Sequence, residues 1–230
     1  MNRKKILSAL FLILLALPFY SIERISMHSY NSDYSLIPES IYSEAFVTKL
    51  KTIFDVKYSY QSVTEIPKSD LQGYDCEQIL TMLDQMGGLD KECFGVSYID
   101  GYTGERKALF RKSRYDTKTG ELYIKDKAAG GLYFNLDINH FTSSESVYAV
   151  TAIVSRTPSN IFVRDIKKGE AAIFVLMQEN EESVKLYVLI QSSFSPLKHW
   201  LLTSAIESAI SGRVIELQNW FYRMLAGKTE

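Results

Sequence analysis

Hydrophobic positions recur at spacings of three and four near the two ends of this chain, and at a spacing of two, or in short apolar runs, through its middle. Ile41, Tyr42, Ala45, Phe46, Leu50 and Ile53 form a helical stripe that predicts an amphipathic helix within 38–54. Val56, Tyr58 and Tyr60 then alternate with Lys57, Ser59 and Gln61, which predicts a strand over 56–66 with one face buried, stopped by Pro67. Ser69 and Asp70 are placed to cap a second helix whose stripe is Leu71, Tyr74, Ile79, Leu80, Leu83 and Met86, ended by Gly87 and Gly88.

From Cys93 to about Ser193 the pattern is that of strands. Runs at 94–99 and 106–114, and then 122–125, are separated by two loops that both carry an early Asp followed by Thr-Gly-Glu. Such loops supply a side-chain-bonded turn and a glycine for positive φ. Further strands are predicted at 132–138, 147–154, 171–177 and 184–190, with 161–166 either an edge strand or a loop. Ile173-Phe174-Val175-Leu176 is apolar without alternation, so the hairpin of 171–190 is expected in mid-sheet with cover on both faces. A final helix begins at Ser195-Pro196 and ends before Gly227, with Leu197, Leu201, Ile206, Ile210, Leu217, Trp220, Phe221 and Met224 on its apolar stripe. Its length would be roughly 45 Å at about 1.5 Å per residue. Gly212 within it predicts a close backbone contact or a bend.

That order of elements predicts an α+β fold in which a curved antiparallel sheet of about six to seven strands packs on a long carboxy-terminal helix, the helix-grip arrangement. The space between sheet and helix is either filled by side chains or left as an apolar cavity. Phe174, Tyr187, Trp200, Ile206, Ile210, Trp220 and Phe221 are the residues expected at that interface, as ligand-binding groups or as filling.

The first residues change the picture from fold to place. Arg3, Lys4 and Lys5 precede an apolar run of about 15 residues, too short for the roughly 20 a spanning helix needs, and together these predict a cleaved export signal. The predicted organisation is a signal peptide at 1–21, an extended or loosely packed arm at 22–40 and a single α+β domain at 41–230, exported to the periplasm or secreted. No permanent membrane span is expected after cleavage. The whole chain has 230 residues and a net charge of −1. Loss of the signal would bring that to about −4, which leaves no global field for nucleic acid or anionic membranes.

In an oxidising compartment the two cysteines, Cys76 and Cys93, are read first as one disulfide, with two free buried thiols as the alternative. His28, His140 and His199 have no neighbours at ligand spacing, and no G-x-S-x-G, H-E-x-x-H or phosphate loop is present. No metal, no cofactor and no catalytic residue is therefore expected, although an enzyme is not ruled out. The basic run Arg106, Lys107, Arg111, Lys112 and Arg114 reads as an exposed strand protected by charge, with an anionic headgroup or polysaccharide as its other reading.

Near the carboxy terminus Ile206, Glu207, Ala209 and Arg213, followed by Asn219, Trp220 and Phe221, form a pattern that resembles an uncharacterised family of exported bacterial proteins. The fold also resembles the helix-grip, START-like proteins. The first resemblance implies export and a single domain, and carries no activity over. Two functions are expected candidates: a soluble periplasmic binder of an apolar small molecule or lipid, or a cell-envelope protein with a filled core that meets a protein partner.

Overall fold

The structure, a computed structural model, describes residues 23–40, 42–84, 97–99, 103–108, 110–116, 118–126, 130–142, 146–158, 166–199 and 203–227. Its strands are β1 (Arg24–Ser29), β2 (Tyr58–Pro67), β3 (Ser97–Ile99), β4 (Arg106–Ala108), β5 (Phe110–Asp116), β6 (Glu121–Asp126), β7 (Gly130–Thr142), β8 (Ser146–Val154), β9 (Ala171–Glu179) and β10 (Ser183–Ser192). Among the described residues three α-helices accompany them: α1 (Ser43–Lys51), α2 (Cys76–Asp84) and α3 (Thr203–Ala226). Eight strands form one antiparallel sheet in the order β1-β2-β10-β9-β8-β7-β6-β5, and β3 pairs with β4 separately. The class is α+β, as the order of elements predicts, with one strand more than expected in the sheet.

The added strand comes from the polar segment before α1. Arg24–Ser29 pairs with β2 along its whole length, from Arg24 opposite Thr64 to Ser29 opposite Ser59. An edge strand needs only backbone partners and can stay polar, so the segment shows little of the alternation that marks the central strands. The rest of the segment, which forms neither helix nor strand, is held down by polar side chains of the sheet. Ser59 Oγ donates to the carbonyl of Asn31 at 2.8 Å, Gln61 Oε1 accepts from the amide of Leu36 at 3.2 Å, and Gln178 Nε2 donates to the carbonyl of Glu39 at 3.0 Å.

β9 and β10 are in mid-sheet and covered on both faces. One face carries Val175, Met177, Leu186 and Val188 beneath α2 and α3, with Ile79, Leu80, Val214, Phe221 and Leu225 in the same core. The other carries Phe174, Leu176, Tyr187 and Leu189 beneath Phe46 and Leu50 of α1. The molecule is thus three layers, helix on sheet on helix, which accounts for the unbroken apolar runs.

The long helix shows that the sheet curls. At one edge Arg24 of β1 donates to Gln218 Oε1 and Asn219 Oδ1 at 2.8 and 2.7 Å, while Arg213, less than two turns earlier, holds Asp126 of β6. In a flat sheet β1 and β6 would stand about 29 Å apart at the ordinary strand spacing, against a helix about 10 Å across. One helix reaches both, so the sheet wraps it.

Several local expectations are corrected. The second helix starts at Cys76, because Asp75 is its cap: Asp75 Oδ1 accepts from the amide of Gln78 at 2.7 Å and Gln78 Oε1 from that of Asp75 at 2.9 Å. Lys68–Asp70 is only a turn of 3₁₀ helix. Close contact falls at Gly73 and not at Gly212. A Cβ on Gly73 would come within 1.9 Å of the Met224 carbonyl, whereas one on Gly212 meets nothing within 4 Å. The backbone amides of Gly73 and Tyr74 cap the carbonyls of Leu225 and Met224, and Gly227 follows at φ +63° as the expected terminator. In the final helical region the described residues form a 3₁₀ turn at Pro196–His199 and an α-helix from Thr203.

The run 106–114 is likewise two strands, β4 and β5, in different sheets, with an irregular register between Phe110 and Lys112. Arg106 and Lys112 therefore do not share one strand. In the described part of the two Thr-Gly-Glu loops, Gly104 and Gly120 each take the expected positive φ, +67°. The segment 161–165 lies outside the described residues.

Candidate functional site

The half-docked long helix defines the candidate site. From Val214 onward α3 buries Gln218, Trp220, Phe221, Tyr222, Met224, Leu225 and Ala226, whereas no residue from Thr203 to Gly212 is fully buried. Polar pinning explains how the second half is fixed in register. Gln218, wholly inside, accepts from Ser62 Oγ and Arg24 Nε, both at 2.8 Å, and donates Nε2 to the carbonyl of Ser62 at 3.1 Å. A buried amide costs little once its donors and acceptors are met.

The first half hangs beside the sheet with less cover. Ile206 and Ile210 are partly buried, and Ile210 rests on the edge of the core. Residues paired across antiparallel strands share a face. His28, Tyr60, Ile190, Ile173, Ala152 and Leu136 therefore form one row, a residue from each strand from β1 to β7. Within that row Ile190, Ile173 and Leu136 are only partly buried, although they lie in the middle of the sheet. The result is an apolar strip flanked by the less covered half of the helix.

The β1 end of the strip is polar. Elsewhere on α3, Arg213 Nε and Nη2 donate to Asp126 Oδ2 and Oδ1 of β6 at 2.9 and 2.8 Å, a two-pronged pair whose carboxylate is wholly buried. At the β1 end is an aromatic group. His28 Nδ1 is 2.6 Å from the Tyr58 hydroxyl, and the His28 ring lies 4.4 Å from that of Tyr60. Tyr30 packs on Tyr58 with ring centres 6.1 Å apart, and its hydroxyl donates to a carboxylate oxygen of Glu207 on α3. Burial pushes the Tyr58 hydroxyl well above the ordinary tyrosine range and pulls His28 below the ordinary histidine value, partly opposed by Glu207. Both groups are neutral near pH 7, so this end carries the Glu207 carboxylate and no cationic histidine.

Of the residues expected at the interface, Trp220 and Phe221 are in the core beneath α3 with ring centres 4.8 Å apart, and Ile206 and Ile210 are on its less covered half. Phe174 and Tyr187 are not there. They lie on the opposite face, against α1, with the Tyr187 hydroxyl donating to Gln61 at 3.0 Å. In a continuous apolar run, composition cannot say which alternate residues face which layer, and Ile173 and Ile190 occupy the face assigned to them. Trp200 and Cys93 lie outside the described residues. Cys76 is a buried free thiol whose pKa burial pushes up to about 12, so it is inert as a nucleophile at neutral pH. Tyr58 and Tyr60 were visible in the sequence as one face of a strand, but their meeting with His28, Tyr30 and Glu207 depends on contacts across up to 177 residues.

Among the described residues no three His, Cys, Asp or Glu side chains converge as a metal site, and no helix is long and apolar enough to cross a membrane. No family model matches the chain, and no curated protein matches it. Among solved structures, the STAR-related lipid transfer protein of Xanthomonas axonopodis (fragment 25–204) superposes with a TM-score of 0.42 at 10% identity, covering 72% of this chain and 86% of that one. The likeness is one of outline.

Proposed function

We propose that this protein binds an amphipathic small molecule, with its apolar part on the Leu136–Ile173–Ile190 strip and against the first half of α3. The observation that carries this reading is the unequal docking of α3: its second half is sealed to the sheet, while its first half leaves isoleucines partly uncovered on both helix and sheet. Partly exposed apolar side chains lying between two walls favour an occupant that removes them from water, at about 25 cal/mol per Å² covered. The polar groups at the β1 end suit a molecule with one apolar and one polar part. Export through residues 1–21 belongs to the same proposal, and amino-terminal sequencing of the mature protein tests it.

Titration of the purified protein with a long-chain alcohol carrying a nitrobenzoxadiazole fluorophore, a probe without charge on its head group, tests the binding. Saturable uptake is expected, with Ile210→Glu reducing affinity by about tenfold while the circular dichroism spectrum stays native. Absence of saturable uptake, or unchanged uptake by the variant, overturns the reading.

A further inference from the structure

The aromatic end of the strip has a chemistry of its own. His28 and Tyr30 form an exposed outer layer, and Tyr58 and Tyr60, only 1% and 2% exposed, form an inner layer that holds them. The rings are tilted by 41° to 51° to one another, and so make a folded wall. Beside the wall is Glu207, partly buried, whose partner is the neutral phenol of Tyr30. The Glu207 carboxylate stands beside aromatic faces that add their own negative potential. The cation on this face of β1, Arg24, is turned toward Gln218 and Asn219.

We infer that the Tyr30, His28 and Glu207 wall is a head-group site for an organic ammonium, and that the ligand of the strip is a cationic amphiphile. This rests on the proposed binding role and adds the charge of the head group to it. A cation over the Tyr30 ring within about 6 Å gains from the ring, and more from a neighbouring carboxylate in a half-wet setting. An anionic head group meets Glu207 and is repelled. The groups facing His28 are the Tyr58 hydroxyl and Tyr60 ring of β2 and Glu207 across on α3, while Tyr30 packs on Tyr58. Protonation of His28 would therefore place a competing cation in the wall.

Isothermal titration with three eight-carbon probes below their micelle concentrations, octyltrimethylammonium, 1-octanol and octanesulfonate, tests the inference. The ammonium is expected to bind roughly tenfold more tightly than the sulfonate. Glu207→Gln, which preserves the hydrogen bond to Tyr30, should remove most of that advantage and leave octanol unchanged. Tyr30→Phe should retain ammonium binding within about threefold, and Tyr30→Ala should lose it. Equal binding of the three probes, or preference for the sulfonate, overturns the head-group inference and leaves the apolar strip standing. Failure of all three to bind overturns both.

Discussion

His28 shows how one residue changes meaning when its neighbours are known. By itself it is a polar residue in a polar segment, but in the structure it packs on Tyr60, bonds to Tyr58, and is pulled below its ordinary pKa mainly by burial. A histidine whose folded pKa is lowered binds fewer protons folded than unfolded near its ordinary value of about 6.5, so stability rises with pH through that region. The folded state is penalised below the lowered value, and the penalty is gone above about 6.5. Melting temperatures at pH 5.5 and 7.5 check this: the native protein is expected to lose more stability at the lower pH than His28→Asn. Identical pH dependence in the two would show that His28 stays accessible to protons in the fold. Gln218 makes a related point, since a glutamine in an apolar helical stripe looks like a lapse in the pattern until Ser62 and Arg24 are seen to need it.

Elements were legible where periodicity was strong and blurred where it was not. The strands from β6 to β10 lie close to the runs that predict them, and Gly227 ends α3 where a glycine terminator belongs. The Asp75–Gln78 capping box was present in the sequence as Asp-x-x-Gln, but the stripe beginning at Leu71 masked it. The contrast between two glycines is the sharpest consequence at this scale. Gly73→Ala drives a methyl into the Met224 carbonyl and should cost about 2–3 kcal/mol or more. Gly212→Ala meets open space in an exposed helical position and should stabilise by up to about 1 kcal/mol. Urea denaturation of the two variants measures both, and a stabilising Gly73→Ala would mean that α3 does not close on the loop before α2.

For the whole molecule, the decisive contact is the reach of α3 across the curl of the sheet. Arg213→Ala strips the paired guanidinium from a buried carboxylate, and a loss of about 3 kcal/mol is expected by denaturation. Arg213→Lys should restore little of it, because an ammonium cannot match the two-pronged geometry. An undisturbed Arg213→Ala variant would show that Asp126 finds water and that the sheet is open at that edge. The sequence by itself determined the class, the antiparallel middle and the long closing helix, because those follow from local periods of two and of about 3.6 that survive without any partner. Only the tertiary structure decided that Ile173 and Ile190, and not Phe174 and Tyr187, face the helix, and that Tyr30, His28 and Glu207 meet. The physical reason is that facing and meeting depend on register and curl, which are set by pairings between residues far apart along the chain.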